Sequence, residues 1–141
     1  MQVREVMTSQ PQYLNADTSI KEVAQQMHAQ STGFVPIARD ERLLGIVTDR
    51  DLTMRVLTDG FDPDQEVSSV LSEGVLYCYA EDDIQDALKN MREQGIQRLI
   101  VLDDKENKNL MGVVTLSDIA DKCSDDSDIS DAIVEACKHY H

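Results

Sequence analysis

The stretch Gly45-Ile46-Val47-Thr48-Asp49-Arg50-Asp51 returns later in the chain as Gly112-Val113-Val114-Thr115-Leu116-Ser117-Asp118, and this duplication constrains the fold more than any other feature. Each copy reads as a glycine, two apolar residues closing a strand, a threonine, and an aspartate three positions on where a helix begins. The repetition extends well beyond the motif. One constant shift lays Val3 on Val67, Val6 on Val70, Thr8 on Ser72, Tyr13 on Tyr77, Ile20 on Ile84, Met27 on Met91 and Val35 on Leu99. The shift then grows, because the turn over residues 103–109 is longer than the one near residues 40–42. Insertions collect in surface turns, so a lengthened turn is what a duplicated fold predicts.

Repeats of roughly 60 residues are marginal alone, so the two halves are expected to share a core. The predicted boundaries are repeat 1 over 1–62, repeat 2 over 63–122 and an acidic helical tail over 123–141. In the first repeat, Val3, Val6 and Met7 form the packing face of a short lead-in, and Pro11 imposes an extended or turning path. Asp17, Thr18 or Ser19 caps the next helix, with Glu22 placed for a capping box with Ser19. Ile20, Val23, Ala24 and Met27 give that helix one apolar face, and the helix stops near residues 31–33. Residues 34–37 and 43–47 read as an antiparallel strand pair, with Pro36 marking an edge or irregular strand. Helical spacing resumes over 52–57 and ends at Gly60. The second repeat follows the same order. A strand over 75–79 and a cap at Asp82 or Asp83 precede a helix carrying Ile84, Ala87, Leu88 and Met91, which ends at Gly95, and strands follow over 99–102 and 110–114. In the tail, Ile129, Ile133, Ala136, Cys137 and Tyr140 share one face of a final helix, which covers the end of the fold or meets a partner.

Charge narrows the function classes. With 27 acidic and 13 basic residues, the formal net charge is −14. Nonspecific nucleic-acid or anionic-membrane binding needs a basic surface, so both are disfavoured. No run is long enough to cross a bilayer, and residues 1–30 lack a basic segment followed by an apolar one, so a soluble cytoplasmic protein is expected. Cys78, Cys123 and Cys137 are an odd number without metal-like spacing, and Cys78 reads as a small buried side chain. His28 is a solvated helix histidine; with only His139 and His141 besides, no metal site is expected. No nucleophile elbow, phosphate loop with lysine, dinucleotide fingerprint or HExxH arrangement occurs, so an enzyme is not expected.

The repeated element can still bind. A strand end turning into a helix exposes backbone N–H groups suited to an anion. A threonine hydroxyl can donate to a phosphate, and a carboxylate three residues on can accept from ribose hydroxyls. Alternatively, Thr48 and Thr115 simply cap the helices that follow.

On these residues the chain resembles a tandem pair of cystathionine-beta-synthase (CBS) domains, a Bateman module, over residues 1 to about 122. Val6-Met7-Thr8 resembles the family's lead-in motif, and residues 45–51 and 112–118 match its glycine, apolar, threonine and aspartate pattern. Arg55 with Gly60, Asp62 and Pro63 resembles small stand-alone bacterial members. The resemblance implies an α+β fold of two repeats, each a small sheet packed with helices and related by pseudo-twofold symmetry. It further implies non-catalytic binding of an adenosine compound, such as AMP, ADP or ATP, with NAD or S-adenosylmethionine also within the family's range, in clefts between the repeats. Thr48 and Asp51 would hold phosphate and ribose in one cleft, and Thr115 and Asp118 in the other. Adenine would lie near Ile20 or Ile84 and beside Val35 or Leu99. Arg50 and Arg98, with Arg55 a weaker third, would offset phosphate charge by a bidentate fork. Leu71-Ser72 stands where methionine-threonine is the pattern, Leu116-Ser117 lacks the charge of Asp49-Arg50, and Phe34 takes the place equivalent to Arg98. The clefts therefore differ, and one occupied site per chain is expected. A homodimer and a protein regulated in trans are the implied partners. A ligand-free interaction or oligomerisation module is the alternative.

Overall fold

The computed structural model describes residues 1–9, 11–72, 77–123 and 125–138. In chain order these form β1 (Thr8–Ser9), β2 (Leu14–Asn15), α1 (Ile20–Gln30), β3 (Phe34–Arg39), β4 (Arg42–Thr48) and α2 (Asp49–Leu52). They continue as β5 (Tyr77–Tyr79), α3 (Ile84–Gln94), β6 (Arg98–Leu102), β7 (Leu110–Thr115), α4 (Leu116–Lys122) and α5 (Ser127–Lys138). The fold is α+β, and the chain divides into two compact units, Gln12–Val75 and Met1–Pro11 with Leu76–His141.

The unit spanning Gln12–Val75 holds a three-stranded sheet in the order β2-β3-β4. β2 runs parallel to β3 with α1 as the crossover, and β3 and β4 form an antiparallel hairpin. Ser19 caps α1 by accepting from the Glu22 N–H at 3.1 Å. Ile20, Val23 and Met27 turn inward onto Val35, Ile37 and Val47, whereas Ala24, expected on the apolar face, is exposed. Three apolar positions on one stripe suffice to seat the helix, and alanine's small side chain loses little in water. Pro36 is not on an edge strand, since β3 is central. β2, however, pairs only with Ile37 and Ala38, and the register shifts between those two residues, so the proline precedes the doubly paired part of its strand. After α2 the chain widens into one π-helical stretch, Thr53–Thr58, where the Asp59 N–H reaches Met54 O.

The other unit holds a four-stranded sheet in the order β1-β7-β6-β5. β5 is parallel to β6 across α3, and β7 is antiparallel to both β6 and β1. Ile84, Ala87, Leu88 and Met91 are all buried, as the helical spacing predicts. The Asp83 side chain caps α3 by accepting from the Gln85 N–H at 2.8 Å. Cys78 is buried at 5% exposure, and burial, aided by the charge of Asp82, pushes its thiol up to about 12. α5 packs against α3 and α4, placing Ile129 and Ala136 in the core with Ile133 partly buried against it. Cys137, expected on that face, is exposed instead, because the inward stripe of α5 ends with Ala136. Residues 75 and 76 of the expected strand, together with Tyr140, His139 and His141, lie outside the described residues.

Each unit borrows the other repeat's lead-in segment. Val3 and Arg4 donate their N–H groups to Asp82 O (2.8 Å) and Ala80 O (2.9 Å). Val67 and Ser68 make the equivalent bonds to Thr18 O (2.8 Å) and Ala16 O (3.2 Å). The lead-in valines follow these bonds inward, with Val3, Val6, Val67 and Val70 at 0–3% exposure. A lead-in with three apolar residues and no partner of its own has to spend them on a neighbouring sheet.

Candidate functional site

The repeated element forms the same corner in both units. β4 ends at Thr48, whose extended backbone (φ −114°, ψ 163°) makes it the N-cap of α2; Thr115 (φ −115°, ψ 161°) does the same for α4. Both corners are capping boxes. The Asp51 N–H donates to Thr48 Oγ1 at 3.1 Å while the Thr48 N–H donates to Asp51 Oδ2 at 2.8 Å. In the second copy the Asp118 N–H donates to Thr115 Oγ1 at 3.1 Å and the Thr115 N–H to Asp118 Oδ2 at 3.0 Å. The corner is closed by one more backbone bond in each unit, Asp49 N–H to Gly33 O and Leu116 N–H to Gln97 O, both 2.9 Å. The aspartate three residues on is thus first a backbone acceptor, and its oxygen Oδ2 is committed to that task. Both aspartates are half-buried, and among the described residues no donor reaches Oδ1 of either, so each keeps a carboxylate oxygen able to accept from a hydroxyl.

The corners differ in what surrounds them. Asp51 Oδ2 also accepts from the Thr48 hydroxyl at 2.9 Å and from the Ser72 hydroxyl. Among the described residues no hydroxyl donates to Asp118. The hairpin register sets Phe34 opposite Thr48 and Arg98 opposite Thr115. Directly opposed residues of an antiparallel pair share a sheet face, so the half-buried Arg98 stands beside the Thr115 corner. Arg50 is exposed and lines a shallow cavity of about 410 Å³ with Asp49, Thr53 and Met54. Arg55 is paired with Asp59 at 3.3 Å, a surface contact of small energetic weight.

Ile20, Ile84, Val35 and Leu99 are core residues at 1–4% exposure. Their side chains pack in the cores of their own units. In the sequence Ser72 stands out only as a departure from the motif. The signal that could have identified it is its hydroxyl at the position equivalent to Thr8, in a segment that repeat symmetry sends to the other repeat's sheet. Among the described residues no group of three or more His, Cys, Asp or Glu side chains could hold a metal ion, and no helix is long and apolar enough to cross a membrane.

The profile of the CBS domain matches residues 3–58 and 67–125. The uncharacterized protein MK0525 of Methanopyrus kandleri is 33% identical over 118 residues, covering 82% of this chain, which spans 57% of that relative's length. Hypoxic response protein 1 of Mycobacterium tuberculosis is 31% identical over 119 residues, covering 83% of this chain and 81% of its own. A crystal structure of Hypoxic Response Protein I with two coordinated zinc ions has a TM-score of 0.77 at 29% identity, covering 86% of this chain and 98% of that one. The CBS-domain protein PAE2072 of Pyrobaculum aerophilum, solved in complex with AMP, shares the fold with a TM-score of 0.77 at 18% identity, over 93% of this chain and 99% of that one. With two matched repeats carrying the same corner, the chain belongs to the CBS-domain family as a tandem pair.

Proposed function

We propose that this chain is a non-catalytic regulatory module that binds an adenosine nucleotide at its threonine–aspartate corners. The observation that carries the reading is that, among the described residues, no donor reaches Oδ1 of Asp51 or of Asp118, while a capping box engages the other oxygen of each. A carboxylate held this way accepts from the paired hydroxyls of a ribose, as an acidic residue does in dinucleotide folds. At the second corner the Thr115 hydroxyl suits the 5′-phosphate, with Arg98 to offset its charge, whereas at the first corner the Thr48 hydroxyl already donates to Asp51 Oδ2 and Arg50 is the group that would meet the phosphate. AMP bound to PAE2072 supports the ligand class. ADP, ATP, NAD and S-adenosylmethionine carry the same adenosine half, so they belong in the same test.

Regulation by such a module is a population shift: a nucleotide with unequal affinity for two states changes their ratio, and a partner protein or a second copy of the chain reads the difference. Isothermal titration with AMP, ADP, ATP, NAD and S-adenosylmethionine tests the binding step. Saturable heat abolished by Thr48→Ala with Asp51→Ala, or by Thr115→Ala with Asp118→Ala, supports the reading and identifies the corner. Heat that survives both double variants, or none with any compound, refutes it. The second reading, a ligand-free interaction module, is favoured by one feature: both capping boxes are complete without a ligand.

A further inference from the structure

We infer that Ser72 is a positioning residue for the first corner, aiming Asp51 at the ribose and making that corner the selective one for ribonucleotides. The inference rests on the nucleotide reading above. Ser72 belongs by sequence to the second repeat's lead-in, yet its N–H donates to Ile46 O at 2.9 Å, anchoring it beside the end of β4. From there its hydroxyl donates to Asp51 Oδ2, which already accepts from the Thr48 N–H and hydroxyl. Three donors on one oxygen restrain rotation of the carboxylate about its Cβ–Cγ bond and leave Oδ1 facing away from the cluster.

The second corner provides an internal comparison. Thr8 takes the equivalent place, paired with Val113 in the β1–β7 ladder as Ser72 is bonded to Ile46. The backbone frame is the same, but among the described residues no hydroxyl reaches Asp118, whose side chain accepts only from the Thr115 N–H. Asp118 therefore keeps more freedom to reorient, and two cis hydroxyls are read less strictly there. Preorganised acceptors discriminate because a ligand lacking a hydroxyl leaves a fixed, half-buried lone pair unmet.

The test compares wild type, Ser72→Ala and the matched control Thr8→Ala by titration with AMP, 2′-deoxy-AMP and 3′-deoxy-AMP. In wild type, AMP should bind more tightly than either deoxy analogue. Ser72→Ala should weaken AMP by about tenfold, the scale of one charged hydrogen bond, while weakening the deoxy analogues much less, so that the preference collapses. Thr8→Ala should leave the preference intact. A Ser72→Ala protein that loses affinity equally for all three compounds, or keeps the wild-type preference, overturns the positioning role while leaving the nucleotide reading standing. Wild type without heat from AMP overturns both.

Discussion

The asymmetry between the two corners makes a quantitative prediction that needs no ligand. Thr48→Ala removes an acceptor for the Asp51 N–H at 3.1 Å and a hydroxyl donor to Asp51 Oδ2 at 2.9 Å. Thr115→Ala removes only the acceptor for the Asp118 N–H at 3.1 Å. Loss of an N-cap costs about 1 kcal/mol. The additional hydroxyl–carboxylate bond of Thr48 is half-buried and charge-assisted, contributing about another 1 kcal/mol after solvent screening. Thr48→Ala should therefore destabilise by about 2 kcal/mol and Thr115→Ala by about 1 kcal/mol, a gap of about 3 °C in midpoint for a chain of this size. Thr48→Ser retains both bonds and should stay within about 0.5 kcal/mol of wild type. Urea and thermal unfolding of the ligand-free proteins measure all three. If Thr115→Ala proves as costly as Thr48→Ala, or Thr48→Ser falls as far as Thr48→Ala, the hydroxyl contacts do not carry the weight assigned to them.

Three other substitutions test the frame. A methyl group on Gly112 would lie 2.6 Å from Thr8 O and 2.8 Å from Met7 Sδ, so Gly112→Ala should push β1 from β7 at a cost of about 1–3 kcal/mol, visible as faster amide exchange at residues 8 and 9. Ser31 ends α1 in the left-handed conformation (φ 53°), where the second repeat has Gly95 (φ 66°), so Ser31→Gly should stabilise by about 1 kcal/mol in a thermal melt. Cys78 stays protonated in the fold up to about 12, whereas its unfolded thiol ionises near 9.0, so the unfolded state binds fewer protons above that pH. Stability should fall from pH 9 upward by about 1.4 kcal/mol per unit, and Cys78→Ala should remove that slope in urea titrations at pH 8 and pH 10.

Duplication made most of this fold legible. Period and spacing identified the inward faces of both long helices, and the change of shift placed the longer turn at residues 103–109 correctly between β6 and β7. Ala24 and Cys137 were misplaced because periodicity gives the direction of a stripe but not its width; each sits at the margin of a face already filled by larger side chains. Of the two readings of Pro36, the irregular strand holds, with a register shift between Ile37 and Ala38, and the edge strand does not, because the short β2 pairs with those two residues. In the candidate site, the threonine–aspartate corners are local in sequence and were visible as such. Ser72 was not, because its bond to Asp51 depends on which sheet receives the lead-in, a tertiary choice that no local pattern records.

The exchange of lead-ins explains why duplication need not yield two equal sites. The corner's backbone is set locally, by a strand end, a capping box and one carbonyl of the preceding loop, and these are the same in both units. Everything beyond that frame comes from elsewhere: the opposing strand supplies Phe34 or Arg98, the helix start supplies exposed Asp49 and Arg50 or buried Leu116 and exposed Ser117, and the lead-in supplies Ser72 or Thr8. The first corner has two carboxylates, with its arginine out in solvent, where screening weakens it. The second has one carboxylate, and its arginine stands on the sheet face, less hydrated and closer in its effect to a fixed charge. On the nucleotide reading proposed above, a ribose diol would be read most strictly at the Thr48 corner, so one backbone used twice need not give two equal sites.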